Sequence, residues 1–228
     1  MEATSETLRP QAVVFDLDGL MFNTEELYQD VGAELLRRRG CQFTIELLNQ
    51  MMGRPSRVAL QIMIDWHSLD ATVEQLASET EQIFPMFLDS RLAFMPGLAE
   101  LLAALEQAGL PKAIATSSSR RFVTNVLSRF DLEPRFAFVL TAEDVVQGKP
   151  HPEIYQKAAQ RLGLAPSQVM VLEDSQNGWL AAAAAGTLAV AVPGGHSRHH
   201  DFNQATLVAD TLTDPRIYDL LGLARACC

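Results

Sequence analysis

Two aspartates stand two residues apart in Asp16-Leu17-Asp18-Gly19, directly after the apolar run Ala12-Val13-Val14-Phe15. A carboxylate at the mouth of a buried strand can attack an electrophile or hold a metal ion. A second carboxylate two positions on is near enough to pass a proton to a leaving group. Gly19 lets the chain turn sharply behind the pair. Other polar groups follow apolar runs in the same way. Thr116 and Ser117 close the run that starts at Lys112, Glu173 and Asp174 close Val169–Leu172, and Lys149 lies in a loop just before a helix. Asp174 offers a hard oxygen of the kind magnesium takes, and crowded carboxylates need a cation to offset their repulsion. Lys149 is a compact charge suited to a phosphate oxygen, and Thr116 and Ser117 add neutral donors. In-line attack, charge neutralisation and donors to equatorial oxygens are the requirements of phosphoryl transfer. Gly148-Lys149 is not part of a GxxxxGK loop and no GxGxxG occurs, so a nucleotide cofactor has no support.

For residues so far apart to meet, the chain must bring strand ends together. Short apolar runs of strand type recur at Ala12–Phe15, Lys112–Thr116, Phe136–Leu140, Val169–Leu172, Leu188–Val192 and, more briefly, Leu207–Ala209. Helical patterns separate them: Leu98, Leu101, Leu102 and Leu105; Phe122, Val126, Leu127 and Phe130; Pro152–Leu162; Gly178–Ala185; and Pro215–Leu221. Alternating strands and helices predict an α/β fold, a Rossmann-like open parallel sheet with right-handed crossovers. Such a sheet binds ligands beyond the carboxyl ends of its strands, where the polar set collects. Residues 21–94 show no strand pattern. Leu27, Val31, Leu35 and Leu36 share a helix face, Thr44–Met51 reads as a short helix, and Gly53-Arg54-Pro55 breaks it. Ser56 could cap the next helix, and Thr72 with Gln75 resembles a capping box. Trp66, Phe84, Met86 and Phe87 are expected to pack this bundle. The expected organisation is an α/β catalytic core over 1–20 and 95–228, with a helical cap domain over 21–94 inserted after the first strand.

Composition narrows the function classes. The formal charge is -10, from 28 acidic and 18 basic side chains, which disfavours nucleic-acid backbones and anionic membranes. Cys41 is isolated, Cys227 and Cys228 adjoin, and no closely spaced Cys/His set suggests structural zinc. His196, His199 and His200 are read as loop histidines, not as a metal site. The first residues carry Glu2 and Glu6 and no apolar core, and no apolar run of membrane-spanning length follows, so a cytoplasmic location is expected.

The ordered segments resemble the haloacid dehalogenase-like hydrolase superfamily, in the group that includes beta-phosphoglucomutase and many small sugar-phosphate phosphatases. Asp16-Leu-Asp-Gly-Leu-Met-Phe-Asn-Thr24 is similar to its first motif, and Thr116 in Ala-Ile-Ala-Thr-Ser-Ser to the second. Lys149 in Gly-Lys-Pro-His-Pro-Glu-Ile-Tyr matches the third, and Glu173-Asp174-Ser175-Gln-Asn-Gly178 the fourth. The resemblance implies that Asp16 becomes phosphorylated and that Asp18 acts as acid and then base, also holding Mg2+ through its backbone carbonyl. It further implies that Thr116 and Lys149 bind the phosphoryl group, that Asp174 ligates Mg2+, and that Glu173 ligates or supports it. Arg54 would contact substrate from the cap. The mutase carries Asp-Thr where this chain has Asn23-Thr24, and a histidine where it has Tyr28, which favours a phosphatase over a mutase. The expected partner is a small phosphorylated metabolite, with no nucleic acid and no membrane, and the expected state is a monomer or weak dimer.

Overall fold

The computed structural model describes residues 9–51, 54, 56–195 and 197–224. Gly53 and Pro55 of the expected helix break, His196, Cys227 and Cys228 lie outside the described residues. In chain order the elements begin with β1 (Ala12–Phe15), α1 (Thr24–Arg37), α2 (Ile45–Met51), α3 (Ser56–His67), α4 (Val73–Arg91) and α5 (Leu98–Gln107). Then come β2 (Lys112–Ala115), α6 (Arg120–Ser128), β3 (Val139–Leu140) and α7 (Glu153–Leu162). β4 (Val169–Glu173), α8 (Gln176–Ala184), β5 (Leu188–Ala191), β6 (Leu207–Val208) and α9 (Pro215–Leu221) complete the series.

Strands buried on both faces read as near-continuous apolar runs, and β1, β2 and β4 are buried at every residue, with charge only at their ends, Lys112 opening β2 and Glu173 closing β4. The six strands lie in the order β3-β2-β1-β4-β5-β6, every pair parallel. The order runs one way from β1 through β2 to β3 and the other way from β4 to β6. Loops leaving β1 and β4 therefore diverge at the centre of the sheet, the switch point where such folds leave a crevice. The predicted open parallel sheet is the observed one. β3 is shorter than the expected Phe136–Leu140, because Glu133–Arg135 takes a single tight turn containing Pro134 just before it. Ladder-type bonds still start early, with Ala137 N donating to Lys112 O at 2.8 Å.

Helices pack on the sheet through the faces their periodicity gives. Leu98, Leu101, Leu102 and Leu105 of α5 are all fully buried, each stabilising by roughly 1.5–3 kcal/mol. In α6 the buried stripe is Val123, Val126 and Leu127, and Phe122 and Phe130 are only half-buried. Phe130 instead joins a ring cluster with Phe22 and Phe94, at centroid distances of 5.4 and 4.6 Å. The alanines of α8 serve close packing, since Ala181 and Ala182 sit in the same buried cluster as Val14, Val171 and Tyr155.

The backbone forms two compact units, one running to Phe22 and resuming at Phe94, the other Asn23–Ala93. The second unit is helical among its described residues. Leu27, Val31, Leu35 and Leu36 form the buried face of α1 as their spacing predicts. Thr72 and Gln75 make a reciprocal capping box at the start of α4. Ser56 is the first residue of α3, not a cap before it. Of the four large side chains expected to pack this unit, Phe84 is buried, but Trp66 is 46% and Met86 64% exposed. The reason is period: α4 buries Leu76, Ile83, Phe84 and Leu88, and Met86 falls on the opposite side. Asn23 fastens the two ends of the unit. Its backbone N–H donates to Ala93 O at 3.2 Å, its Oδ1 accepts from Ala93 N at 2.8 Å, and its Nδ2 donates to Arg91 O at 3.2 Å. An aspartate could accept there but could not donate to Arg91.

Thr72→Ala removes one half of the capping box. It is expected to lower unfolding free energy by about 1 kcal/mol in urea titration, with Ser at the same position restoring most of the loss.

Candidate active site

Sheet register builds the site. Phe15 pairs with Ile114 on one side and Leu172 on the other. One step further, Asp16 stands beside Ala115 and Glu173, and its N–H still donates to Leu172 O at 3.1 Å. The sheet thus carries two acidic side chains to the same level, and Asp174 follows. One ligand oxygen from each of Asp16, Glu173 and Asp174 falls in a group whose members all lie within 4.8 Å of one another. All three residues are buried. Among the described residues this is the one cluster of metal-ligating type.

Lys149 enters this acidic cluster from the β3–α7 loop. Its Nζ donates to Asp16 Oδ1 at 2.5 Å, to Glu173 Oε1 at 2.6 Å and to Ala115 O at 3.0 Å. The loop is held by Glu153 in the first turn of α7, whose carboxylate accepts from Val146 N at 3.1 Å and Gln147 N at 2.9 Å. Lys157 and these two amides hold the Glu153 carboxyl down to about 2.

Burial pushes the Asp16 carboxyl well above the usual range. Lys149 opposes that shift, while Glu173, Asp174 and Asp18 add to it. Burial also works against the Lys149 charge, but Asp16 and Glu173 outweigh it and hold the ammonium well above its usual range. One lysine faces several carboxyl groups, so the donor set fits a further, divalent cation: hard oxygens, crowded and buried, with charge still to be neutralised.

Asp18 is tied on the β2 side. Ser118 Oγ donates to Asp18 Oδ2 at 2.5 Å, and Thr116 Oγ1 lies 3.4 Å from the same oxygen. Thr116 is buried at the end of β2, and its N–H donates to Leu140 O at 3.0 Å. Gly19 takes φ 77°, the left-handed turn its position requires.

The structure therefore brings Asp16, Asp18, Thr116, Lys149, Glu173 and Asp174 to the carboxyl edge of one sheet. Ser117 is exposed at the same strand end. Arg54 belongs to the helical unit, where it is exposed, as is Tyr28, whose ring packs on Phe84 at 4.5 Å. His199 and His200 contact each other, and His200 Nδ1 accepts from Gln176 N at 3.3 Å.

Sequence reasoning missed four residues. Ser118 holds Asp18, while the next residue, Ser119, caps α6. Tyr155 OH donates to Glu173 Oε1 at 2.5 Å, and Ser175 Oγ donates to Glu173 Oε2 at 3.1 Å. A Cβ on Gly178 would lie 1.9 Å from Glu173 Oε1, so only glycine leaves room for that carboxylate. Tyr155 and Gly178 stood inside quoted motifs, and their position there was the available signal.

A family model described as haloacid dehalogenase-like hydrolase matches residues 13–192, and the chain belongs to that family. It is 32% identical over 176 residues to the phosphorylated carbohydrates phosphatase of Thermotoga maritima, covering 77% of this chain and 82% of that protein. It is 30% identical over 210 residues to the validoxylamine A 7'-phosphate phosphatase of Streptomyces hygroscopicus subsp. limoneus, covering 90% and 96%. The crystal structure of a HAD family hydrolase from Deinococcus radiodurans R1, with bound phosphate and sodium, matches with a TM-score of 0.81 at 27% identity. That match covers 96% of this chain and 100% of the other.

Two outcomes follow from the packed carboxylates. Gly178→Ala is expected to cost about 1–3 kcal/mol of stability, because Glu173 and its bound lysine must move. Asn177→Ala, exposed next to it, should stay within about 0.5 kcal/mol in the same denaturant titration. The second outcome concerns pH. A carboxyl raised by folding binds its proton more tightly in the native state, so it removes stability as pH rises above the unfolded value. A divalent cation competes with that proton. The rise in Tm on adding magnesium, against a chelator control, should be larger near about pH 8 than near about pH 5; an equal rise at both would contradict the assignment.

Proposed function

We propose that the protein is a magnesium-dependent phosphatase that hydrolyses a small phosphorylated metabolite, a sugar phosphate or similar phosphomonoester, through an aspartyl-phosphate intermediate on Asp16. The observation that carries this reading is the meeting of Asp16, Lys149, Glu173 and Asp174 at the sheet's switch point, with Asp18 tethered beside them. Family membership and the phosphatase names of the relatives support it.

An Asp16 oxygen attacks phosphorus as the bond to the substrate oxygen breaks. Protonated Asp18 gives its proton to the departing oxygen, and the alcohol leaves. Asp18, now ionised, takes a proton from water as the water oxygen attacks phosphorus. Inorganic phosphate departs and the Asp16 carboxylate is restored. Lys149 and Thr116 are assigned to the phosphoryl oxygens, with Ser117 a further donor at the rim. Asp16, Asp174 and the Asp18 backbone carbonyl are assigned to the cation. Glu173 falls within the same cluster, but its oxygens already accept from Lys149, Tyr155 and Ser175, which favours a supporting role. Bound magnesium would neutralise phosphoryl charge and favour attack. The helical unit is assigned to substrate selection as a cap, with Arg54 as its candidate contact.

The test is a panel of phosphomonoesters with magnesium, beta-glucose 1-phosphate plus a trace of the bisphosphate included, scored for inorganic phosphate and for isomerised product. Phosphate release should outrun isomerisation on every substrate turned over. The opposite ratio would make the protein a beta-phosphoglucomutase-like isomerase. Asp16→Asn should lower turnover by at least about a thousandfold, and substantial residual activity would overturn its role as nucleophile.

A further inference from the structure

We infer that Tyr155 is a positioning residue for Lys149, acting through Glu173 to hold the lysine ammonium against Asp16 in one orientation. The inference rests on the phosphatase reading of this site and adds a residue to it. A lysine ends in a rotating ammonium on a flexible four-carbon stem, so its direction must be set by its acceptors. Here its three N–H groups meet three acceptors: Asp16 Oδ1, Glu173 Oε1 and Ala115 O. The backbone carbonyl and Asp16 are fixed by the sheet. Glu173 has a side chain long enough to swing, and its placement decides whether the ammonium points at Asp16 or drifts from it.

Glu173 is held from every side. Tyr155 OH donates to the same Oε1 that takes Lys149, and Ser175 Oγ holds Oε2. Gly178 leaves no room behind the carboxylate for even one added carbon. Tyr155 also acts on the lysine directly, since the ammonium lies 5.0 Å from its ring centroid. The tyrosine is fully buried, between α7 and the sheet, so its hydroxyl cannot turn to water. Without that hydroxyl, Lys149 becomes the sole side-chain donor to Oε1, and the ion pair tightens at the expense of Asp16. Tyr155 contributes no group to the phosphoryl transfer itself. Its effect runs through the direction of the lysine, which is needed when charge builds on the phosphoryl oxygens.

Tyr155→Phe keeps the ring and removes only the hydroxyl. With p-nitrophenyl phosphate and magnesium, kcat should fall about tenfold while KM changes by less than about twofold. Tyr218→Phe, a buried tyrosine on α9, is the matched control and should leave kcat unchanged. The Lys149 ζ-ammonium signal is followed in parallel by 1H–15N NMR. It should be sharp in the parent protein, where three acceptors slow its exchange, and broadened in Tyr155→Phe. An unchanged Lys149 signal would overturn the positioning role whatever the activity, and so would an unchanged kcat in an active enzyme. A parent protein silent toward every phosphomonoester, with a Lys149 signal that still broadens in the variant, would support the positioning role and reject the phosphatase reading.

Discussion

The ammonium of Lys149, buried between Asp16 and Glu173, is the interaction on which the site depends. Carboxylates taken out of water repel one another and lose hydration, and the sheet delivers them side by side regardless. The buried ammonium offsets part of that repulsion. Leaving one partner of such a pair unmatched typically costs about 3–5 kcal/mol. The rest of the α/β unit serves this contact. Parallel pairing sets Asp16 level with Glu173, the Ala115 carbonyl provides a third acceptor, and Glu153 clamps the loop that brings the lysine in.

Charge is then divided unevenly around Asp16. On the β4 side, Glu173 has its oxygens occupied by donors, and Asp174 adds another buried carboxyl nearby. On the β2 side, Asp18 is bound by the neutral hydroxyl of Ser118. The two aspartates of one short segment therefore sit in different surroundings, in keeping with the separate roles proposed for them. The insertion of some seventy residues between β1 and α5 leaves this arrangement intact because its ends are fastened to each other at Asn23 and Ala93.

Much of this was legible beforehand. Apolar runs ending in acidic or hydroxyl residues marked β1, β2 and β4, because the interior of a strand covered on both faces favours apolar residues. Helix faces in α1 and α5 and the box at Thr72 followed from spacing alone. Contacts between distant residues were not legible. Ser118 stands just before a helix, where serine commonly caps, and the carboxylate it holds is 100 positions away. Trp66 and Met86 are large and apolar, but both are exposed on their helices.

The amino-acid order, taken alone, settled which side chains end each strand and which face each amphipathic helix must hide, since both are matters of local period. Only the tertiary structure decided how those strand ends meet. The strand order puts β1 between β2 and β4, so Asp16 gains neighbours from segments about 100 and 157 residues further along the chain. Hydrogen-bond direction, buried charge balance and the space behind Glu173 all depend on that packing, and no window of sequence contains them.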